Sequence, residues 1–249
     1  MTRLSAPLLS TPSPRAPRRH ATASPLPASL GTHSRGFTLV ELAMVLVILA
    51  LLGSALLVPL GSRIEARDRQ LSLDRLHDIQ HALIGFALIH GRLPCPSSEA
   101  DPASPLYGLE DAPPCSFASE GRLPWRSLAM PATDAWGNPR TRAADDWAGH
   151  WRYRVDPPFA AGPITAATAT SANLQIRAHD GSRITTTDSQ AVAIIYSTGP
   201  NRRPDGLNAS YAATGAQYQA GVPTPDFDDL LLWIGRPLLI ARLAQGGGL

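Results

Sequence analysis

The sequence contains no lysine, few charged residues and only two cysteines. All 22 basic residues are arginine, which we read as a bias of composition that carries no mechanism. Charged residues make up 17% of the chain, a low share for a soluble domain with a large surface. The two cysteines, Cys95 and Cys115, form no Cys-x-x-Cys pair and have no histidine pair nearby, which argues against a zinc site.

The arginines are unevenly distributed along the chain. Residues 1–36 hold five arginines and no acidic residue, which leaves 17 arginines against 20 acids in the remainder. The positive charge therefore belongs to the first segment, and no basic helix or interleaving of basic and aromatic residues follows it. We expect no nucleic-acid partner.

An apolar run follows this first segment. Residues 1–36 are rich in Ser, Pro, Ala, Thr and Arg without periodicity, so we expect a disordered leader. Residues 37–60 contain one charge, Glu41. At about 1.5 Å per residue, this run is long enough for a hydrocarbon core of about 30 Å. We predict a transmembrane helix segment over 37–60, with the arginine-rich side in the cytoplasm.

The pattern then becomes amphipathic without a break. Apolar residues recur at helical spacing through residues 61–92, with charges between them: Ile64, Leu71, Leu76, Ile79, Leu83, Phe86 and Ile89. Gly91 and Pro94 predict a stop. One helix is therefore expected from Phe37 to about His90, and its second half needs a partner surface, for which a sheet is the natural candidate.

Residues 93–249 read as a globular domain with loops and strands. Runs rich in β-branched and aromatic residues cover 151–156, 174–178 and 191–197. Residues 230–234 are a further apolar run, and 234–243 could also be a short helix. The predicted fold class is α+β, with the long N-terminal helix packed on a small antiparallel sheet.

Six residues at the start of the apolar run carry a family resemblance. Gly36, followed by Phe37-Thr38-Leu39-Val40-Glu41, resembles the class III signal peptide of type IV pilins and type II secretion pseudopilins. The resemblance implies that prepilin peptidase removes residues 1–36 by cutting between Gly36 and Phe37, and then methylates the new N-terminus. It also implies a pilin-like fold.

A second stretch resembles one branch of this family. Asp134-Ala135-Trp136-Gly137-Asn138-Pro139 is similar to a loop common in major pseudopilins, with Ala135 in place of a proline. Residues 140–149 then look inserted before the strand at 151–156. This loop favours a pseudopilin over a minor pilin without separating the two.

Glu41 lies inside the apolar run, where a carboxylate costs at least a few kcal/mol unless it is paired. The family resemblance implies that it meets the α-amino group of a neighbouring subunit during assembly. The alternative is that Glu41 is solvated at the cytoplasmic interface, about 6 Å along the helix from the mature N-terminus.

Two smaller features lie in the exported part of the chain. A Cys95–Cys115 disulfide would close a loop of about twenty residues and stabilise by about 3 kcal/mol; the alternative is two free thiols. Asp205, Asp226 and Asp228 lie in Gly/Pro-rich loops and are candidate calcium ligands. Major pseudopilins carry a calcium site in a comparable loop, and the alternative is a polar turn with capping acids.

These observations favour a structural subunit over an enzyme. As the resemblance implies, its partners would be prepilin peptidase, other pilin or pseudopilin subunits, an inner-membrane assembly platform and membrane lipid. It would be a single-pass inner-membrane protein with a periplasmic C-terminal domain. The competing hypothesis is a signal-anchored periplasmic enzyme or ligand-binding protein that does not polymerise. Cleavage by ordinary signal peptidase is a weaker third reading, because no small-x-small site fits well after the apolar run.

Overall fold

The computed structural model describes residues 36–115, 121–210, 212 and 215–249, with the side chains of 53–60 outside that description. The predicted disorder of the leader concerns residues outside the described part, apart from Gly36. The chain divides into two compact units, one ending at Leu52 and one formed by Gly53–Leu249.

The described elements are three α-helices, six strands and one 3₁₀ turn. The helices are α1 (Leu39–His90), α2 (Pro158–Ala161) and α3 (Arg236–Gln245), and the 3₁₀ turn is Gly206–Ala209. The strands are β1 (Gly121–Arg122), β2 (Arg152–Val155), β3 (Gln175–Arg177), β4 (Ala191–Ser197), β5 (Gln217–Gln219) and β6 (Leu230–Gly235). The α+β class is confirmed.

Helix α1 ends where the sequence predicts. Gly91 follows His90 with φ of +69°, and its N–H donates to the Ala87 carbonyl at 2.9 Å. A left-handed residue after the last helical position is most readily glycine, because glycine has no Cβ to clash.

The first unit is apolar and exposed. Its large apolar side chains, from Phe37 to Leu52, are between 44% and 85% exposed. No helix among the described residues combines the length and the apolarity needed to cross a membrane, so the structure does not show the transmembrane segment predicted for 37–60.

A four-stranded antiparallel sheet organises the second unit. Its order is β1-β2-β4-β6, and every residue of the central strand β4 is buried. One face of α1 joins the core of this unit together with sheet residues such as Tyr153, Val155 and Ile195. The buried positions of that helix face are Leu76, Ile79, Leu83, Ile84, Phe86 and Ala87. The predicted packing of the amphipathic segment on the sheet is thus observed, although Ile64, Leu71 and Ile89 remain exposed.

A second apolar cluster involves the alternate residues of β4. Ile194 and Tyr196 pack with Leu174, Ile176 and Tyr218, which lie on or beside the strand pair β3–β5. This pair is parallel, unlike the antiparallel arrangement predicted from the sequence. Parallel pairing needs a long connection, and the chain between Arg177 and Gln217 supplies one.

The loop after α1 is held by covalent and ionic contacts. Cys95 and Cys115 form a disulfide with their Cα atoms 5.3 Å apart. Arg92 pairs with Glu110 at 2.8 Å, and the same carboxylate accepts the Cys95 N–H at 3.0 Å. This end of the helix is therefore tied to the loop that follows it.

Candidate functional site

The predicted cleavage point lies outside the helix. Gly36, Phe37 and Thr38 precede α1, which begins at Leu39, and the Phe37 side chain is 80% exposed. A Cβ added to Gly36 would meet no atom within 4 Å. The peptide bond between Gly36 and Phe37 therefore belongs to an open, non-helical backbone, which is the form that a protease can approach closely.

Thr38 caps the helix that follows this bond. Its Oγ1 accepts a hydrogen bond from the Glu41 N–H at 3.2 Å, and its carbonyl accepts one from the Leu42 N–H at 3.1 Å. A Thr-x-x-Glu spacing is typical of a capping box, which the sequence reasoning missed although the signal was present. Glu41 is exposed in the first turn, where a negative charge also suits the helix dipole.

Three aspartates from two loops converge in the second unit. Asp205 precedes the 3₁₀ turn, and Asp228 and Asp229 precede β6. One carboxylate oxygen of each lies within 4.8 Å of the others. Of the predicted set of Asp205, Asp226 and Asp228, the structure brings Asp205 and Asp228 together, and the third carboxylate beside them is that of Asp229. Asp226 lies outside this group, exposed in the turn that is closed by hydrogen bonds between Thr224 and Phe227.

Backbone and amide donors hold the three carboxylates in place. Asp229 Oδ2 accepts from the Asp205 N–H and from Asn208 Nδ2, both at 2.9 Å. Asp205 Oδ2 in turn accepts from the Asp228 N–H at 3.0 Å. Within the described part of the chain, Oδ1 of Asp228 and Oδ1 of Asp229 are buried without a hydrogen-bond partner.

The electrostatics of the cluster favour a positively charged ligand. The pKa of Asp229 is raised to about 7, chiefly by burial and in smaller part by the charges of Asp205 and Asp228, while its hydrogen bonds oppose the rise. Burial also raises the pKa of Asp228. Three carboxylates with two unpartnered buried oxygens suit a hard cation such as Ca²⁺, which prefers oxygen ligands. The residues present therefore fit a calcium ion.

The loop that resembles the pseudopilin loop joins α1 to the sheet. Asp134 Oδ1 accepts from the Trp136 and Gly137 N–H groups, and Asp134 Oδ2 accepts from the Ser197 hydroxyl at the end of β4. The Ala135 N–H donates to Ser72 Oγ on α1 at 3.1 Å. Burial raises the pKa of Asp134, and its hydrogen bonds oppose that effect. These hydrogen bonds fix the backbone of the loop at residues 134–137 against α1 and the end of β4.

Comparison with known proteins gives one match. Residues 31–57 match the family described as the prokaryotic N-terminal methylation motif. The chain carries a prepilin-type methylation motif. No curated protein and no solved structure matches the chain.

The prepilin-type motif confirms the family resemblance drawn from Gly36 to Glu41. It supports a type IV pilin-like protein that prepilin peptidase processes, and it suggests attachment to a membrane. Within the motif, the structure describes residues 36–57 as an exposed start and the first part of α1. The roles of Gly36, Phe37 and Glu41 stay predictions.

Proposed function

We propose that the protein is a structural subunit, a pseudopilin or minor pilin, which assembles through its N-terminal helix. The observation that carries this proposal is the prepilin-type motif at residues 31–57. A non-helical Gly36–Phe37 bond followed by an exposed apolar helix supports it further, because cleavage there would place Phe37 at the start of that helix.

In this proposal, residues 37–60 anchor the mature chain in the inner membrane and residues 93–249 lie in the periplasm. The support comes from sequence, since this run of 24 residues carries one charge and the preceding segment carries only positive ones. The exposed apolar side chains between Phe37 and Leu52 form a continuous apolar surface, which lipid or neighbouring subunits would have to cover.

Glu41 would set the register between subunits. A carboxylate in lipid costs at least a few kcal/mol unless it is paired, and the α-amino group of a neighbouring Phe37 would pair with it. The exposure of Glu41 in the first turn supports this role, because the helix itself does not cover the carboxylate. The position of Glu41 in the first turn of α1, where a negative charge suits the helix dipole, supports the alternative that Glu41 is solvated at the cytoplasmic interface.

A cation-binding role is a second candidate function. The cluster of Asp205, Asp228 and Asp229 would hold a calcium ion between the 3₁₀ turn and the start of β6. This cluster and the Asp134 loop favour a type II secretion pseudopilin among the pilin-like proteins. We propose no catalytic activity for the chain.

Assembly can be tested by comparing two alanine variants of α1. Glu41→Ala should reduce incorporation into sheared filaments by at least about tenfold, the ratio that corresponds to about 1.4 kcal/mol of lost pairing. Asp78→Ala is the matched control, because Asp78 is an exposed acid on the same helix. Quantitative immunoblotting of filament and cell fractions gives both values.

Equal incorporation of Glu41→Ala and the wild-type chain would remove the register role. Failure of the wild-type chain to enter any filament, although its leader is removed, would instead favour the signal-anchored enzyme or ligand-binding protein.

A further inference from the structure

A groove between α1 and α3 is left uncovered by the described residues of the second unit. Leu239 and Leu243 of α3 lie in the same apolar core as the buried face of α1. Beside that contact, a surface cavity of about 320 Å³ opens between the two helices, and Leu88 and Leu238 line it. Their side chains are 37% and 39% exposed. We call this cavity the α1–α3 groove.

The α1–α3 groove combines an apolar lining with a positive charge. Ile84 adds to the lining, and a Cβ placed on Gly85 would meet no atom within 4 Å, so the space above this turn of α1 is open. Arg242 also lines the groove, is exposed, and forms no ion pair with an acid of the described residues. None of the described residues that line the groove is acidic. The groove therefore suits an apolar side chain that is accompanied by a carboxylate.

The chain itself offers exposed apolar side chains that could enter such a groove. Between α1 and α3, the large apolar residues that are exposed in the described part of the chain are Leu106, Ile184 and Val222. Two of them lie beside a positive charge. Arg126 donates to the carbonyl groups on either side of Leu106, and Arg183 directly precedes Ile184. A cation beside the docking side chain would repel Arg242, so Leu106 and Ile184 match the groove poorly.

Val222 matches the groove in both polarity and charge. It is the most exposed of the three residues, at 81%, and the segment from β5 to the start of β6 contains three aspartates and no arginine or histidine. Asp226 is exposed in the same loop. The Phe227 N–H donates to the Thr224 carbonyl at 3.2 Å, which closes a turn. We call residues 222–226 the Val222 turn.

The Val222 turn is rigid before it meets a partner. Pro223 and Pro225 lie on either side of Thr224, and the ring of each proline fixes its own φ. A segment that is already ordered loses little conformational freedom when it docks. The turn therefore has the properties of a preformed anchor for a groove.

We propose that the Val222 turn of one copy of the chain docks into the α1–α3 groove of the next copy. Val222 enters the apolar lining, and Asp226 pairs with Arg242. This inference rests on the proposed function of the chain as a filament subunit. The two surfaces belong to different parts of one chain, so the contact is heterologous, and its repetition generates an open filament when the rotation does not close a ring.

Disulfide crosslinking of full-length chains in cells that assemble them tests this contact. Val222→Cys and Leu238→Cys, combined in one chain, should give a ladder of dimers, trimers and larger species on non-reducing gels, because each copy then carries both halves of the contact. The two single variants are the matched controls and should give no ladder. Cys95 and Cys115 are bridged to each other, and no described cysteine is free to interfere.

A charge-reversal series tests the ionic pair. Arg242→Glu and Asp226→Arg should each lower incorporation into sheared filaments at least about fivefold, because each brings like charges together. The chain that carries both changes should recover to within about twofold of wild type. Arg183→Glu is the matched control, since Arg183 is an exposed arginine outside both surfaces, and it should incorporate like the wild type. All three positions are exposed, so these variants should fold.

The proposal is overturned if wild-type filaments form while the double-cysteine chain gives no ladder, or gives dimers without larger species. It is also overturned if the combined charge reversal incorporates no better than Arg242→Glu alone. Wild-type chains that lose their leader but enter no filament would instead remove the proposed subunit function, and this contact with it.

Discussion

Asp229 is a carboxyl group buried where ionisation is unfavourable. Its side chain is 1% exposed, and burial raises its pKa to about 7. The unfolded chain releases this proton near pH 4, whereas the folded chain keeps it until about pH 7. Without a cation, the contribution of Asp229 to stability therefore falls as pH rises through this window and is level above it.

Calcium should reverse this dependence. At pH 8 and a calcium concentration about 100-fold above Kd, we expect stabilisation of about 2.7 kcal/mol, and much less at pH 5, where protons compete for Asp229. Asp229→Asn should abolish the calcium effect and be neutral or stabilising in chelator, because it removes the buried charge. Thermal unfolding of the full chain in detergent measures both.

The matched control is Asp226→Asn, an exposed aspartate in the same loop but outside the cluster. It should keep the full calcium response. Loss of the response in Asp226→Asn with retention in Asp229→Asn would contradict the assignment and restore the ligand set predicted from sequence.

The sequence could identify the two loops of this site but not all of its ligands. Asp226 and Asp229 are equally good calcium ligands as residue types. Only the chain path separates them, because Asp226 lies in an exposed turn and Asp229 lies next to the buried start of β6.

At the scale of elements, the disulfide stabilises the loop after α1. Cys95 lies five residues past the helix end, and its partner Cys115 closes a loop with a sequence separation of 20. A loop of this length corresponds to about 3 kcal/mol of stabilisation, chiefly through the unfolded chain.

Replacing both cysteines with serine should lower the free energy of unfolding by about 3 kcal/mol, without changing the strands of the sheet. Urea unfolding of the variant and of the oxidised wild-type chain measures this difference. The same wild-type chain under reducing conditions is the internal control and should resemble the variant. Equal stability of oxidised and reduced wild type would show that the bridge does not stabilise the fold.

Elements with strong local patterns were predictable. The end of α1 follows from Gly91, β2 and β4 follow from their β-branched and aromatic residues, and β6 follows from its apolar run. Strands β1 and β5 have two and three residues, which is too short to show the alternation of apolar and polar residues that identifies a strand. The parallel pairing of β3 with β5 depends on contacts between distant segments, and no local pattern encodes it.

At the scale of the whole molecule, function and fold are encoded in different parts of the chain. The prepilin-type motif lies in residues 31–57, whereas the sheet and the aspartate cluster lie in Gly53–Leu249. The motif was recognisable from six consecutive residues because protease recognition and helix capping are local. The sites of the globular part are formed by residues that are distant in sequence, so their positions depend on the three-dimensional structure.

The central claim is that the chain is a prepilin-type precursor cut between Gly36 and Phe37. Mass spectrometry of the N-terminal peptide, from cells with and without active prepilin peptidase, tests it most directly. We predict a mature chain that begins with N-methylated Phe37 only when the peptidase is active, with the Gly36→Leu variant left uncut. An intact leader in cells with active peptidase, or an N-terminus at any other residue, would contradict the account.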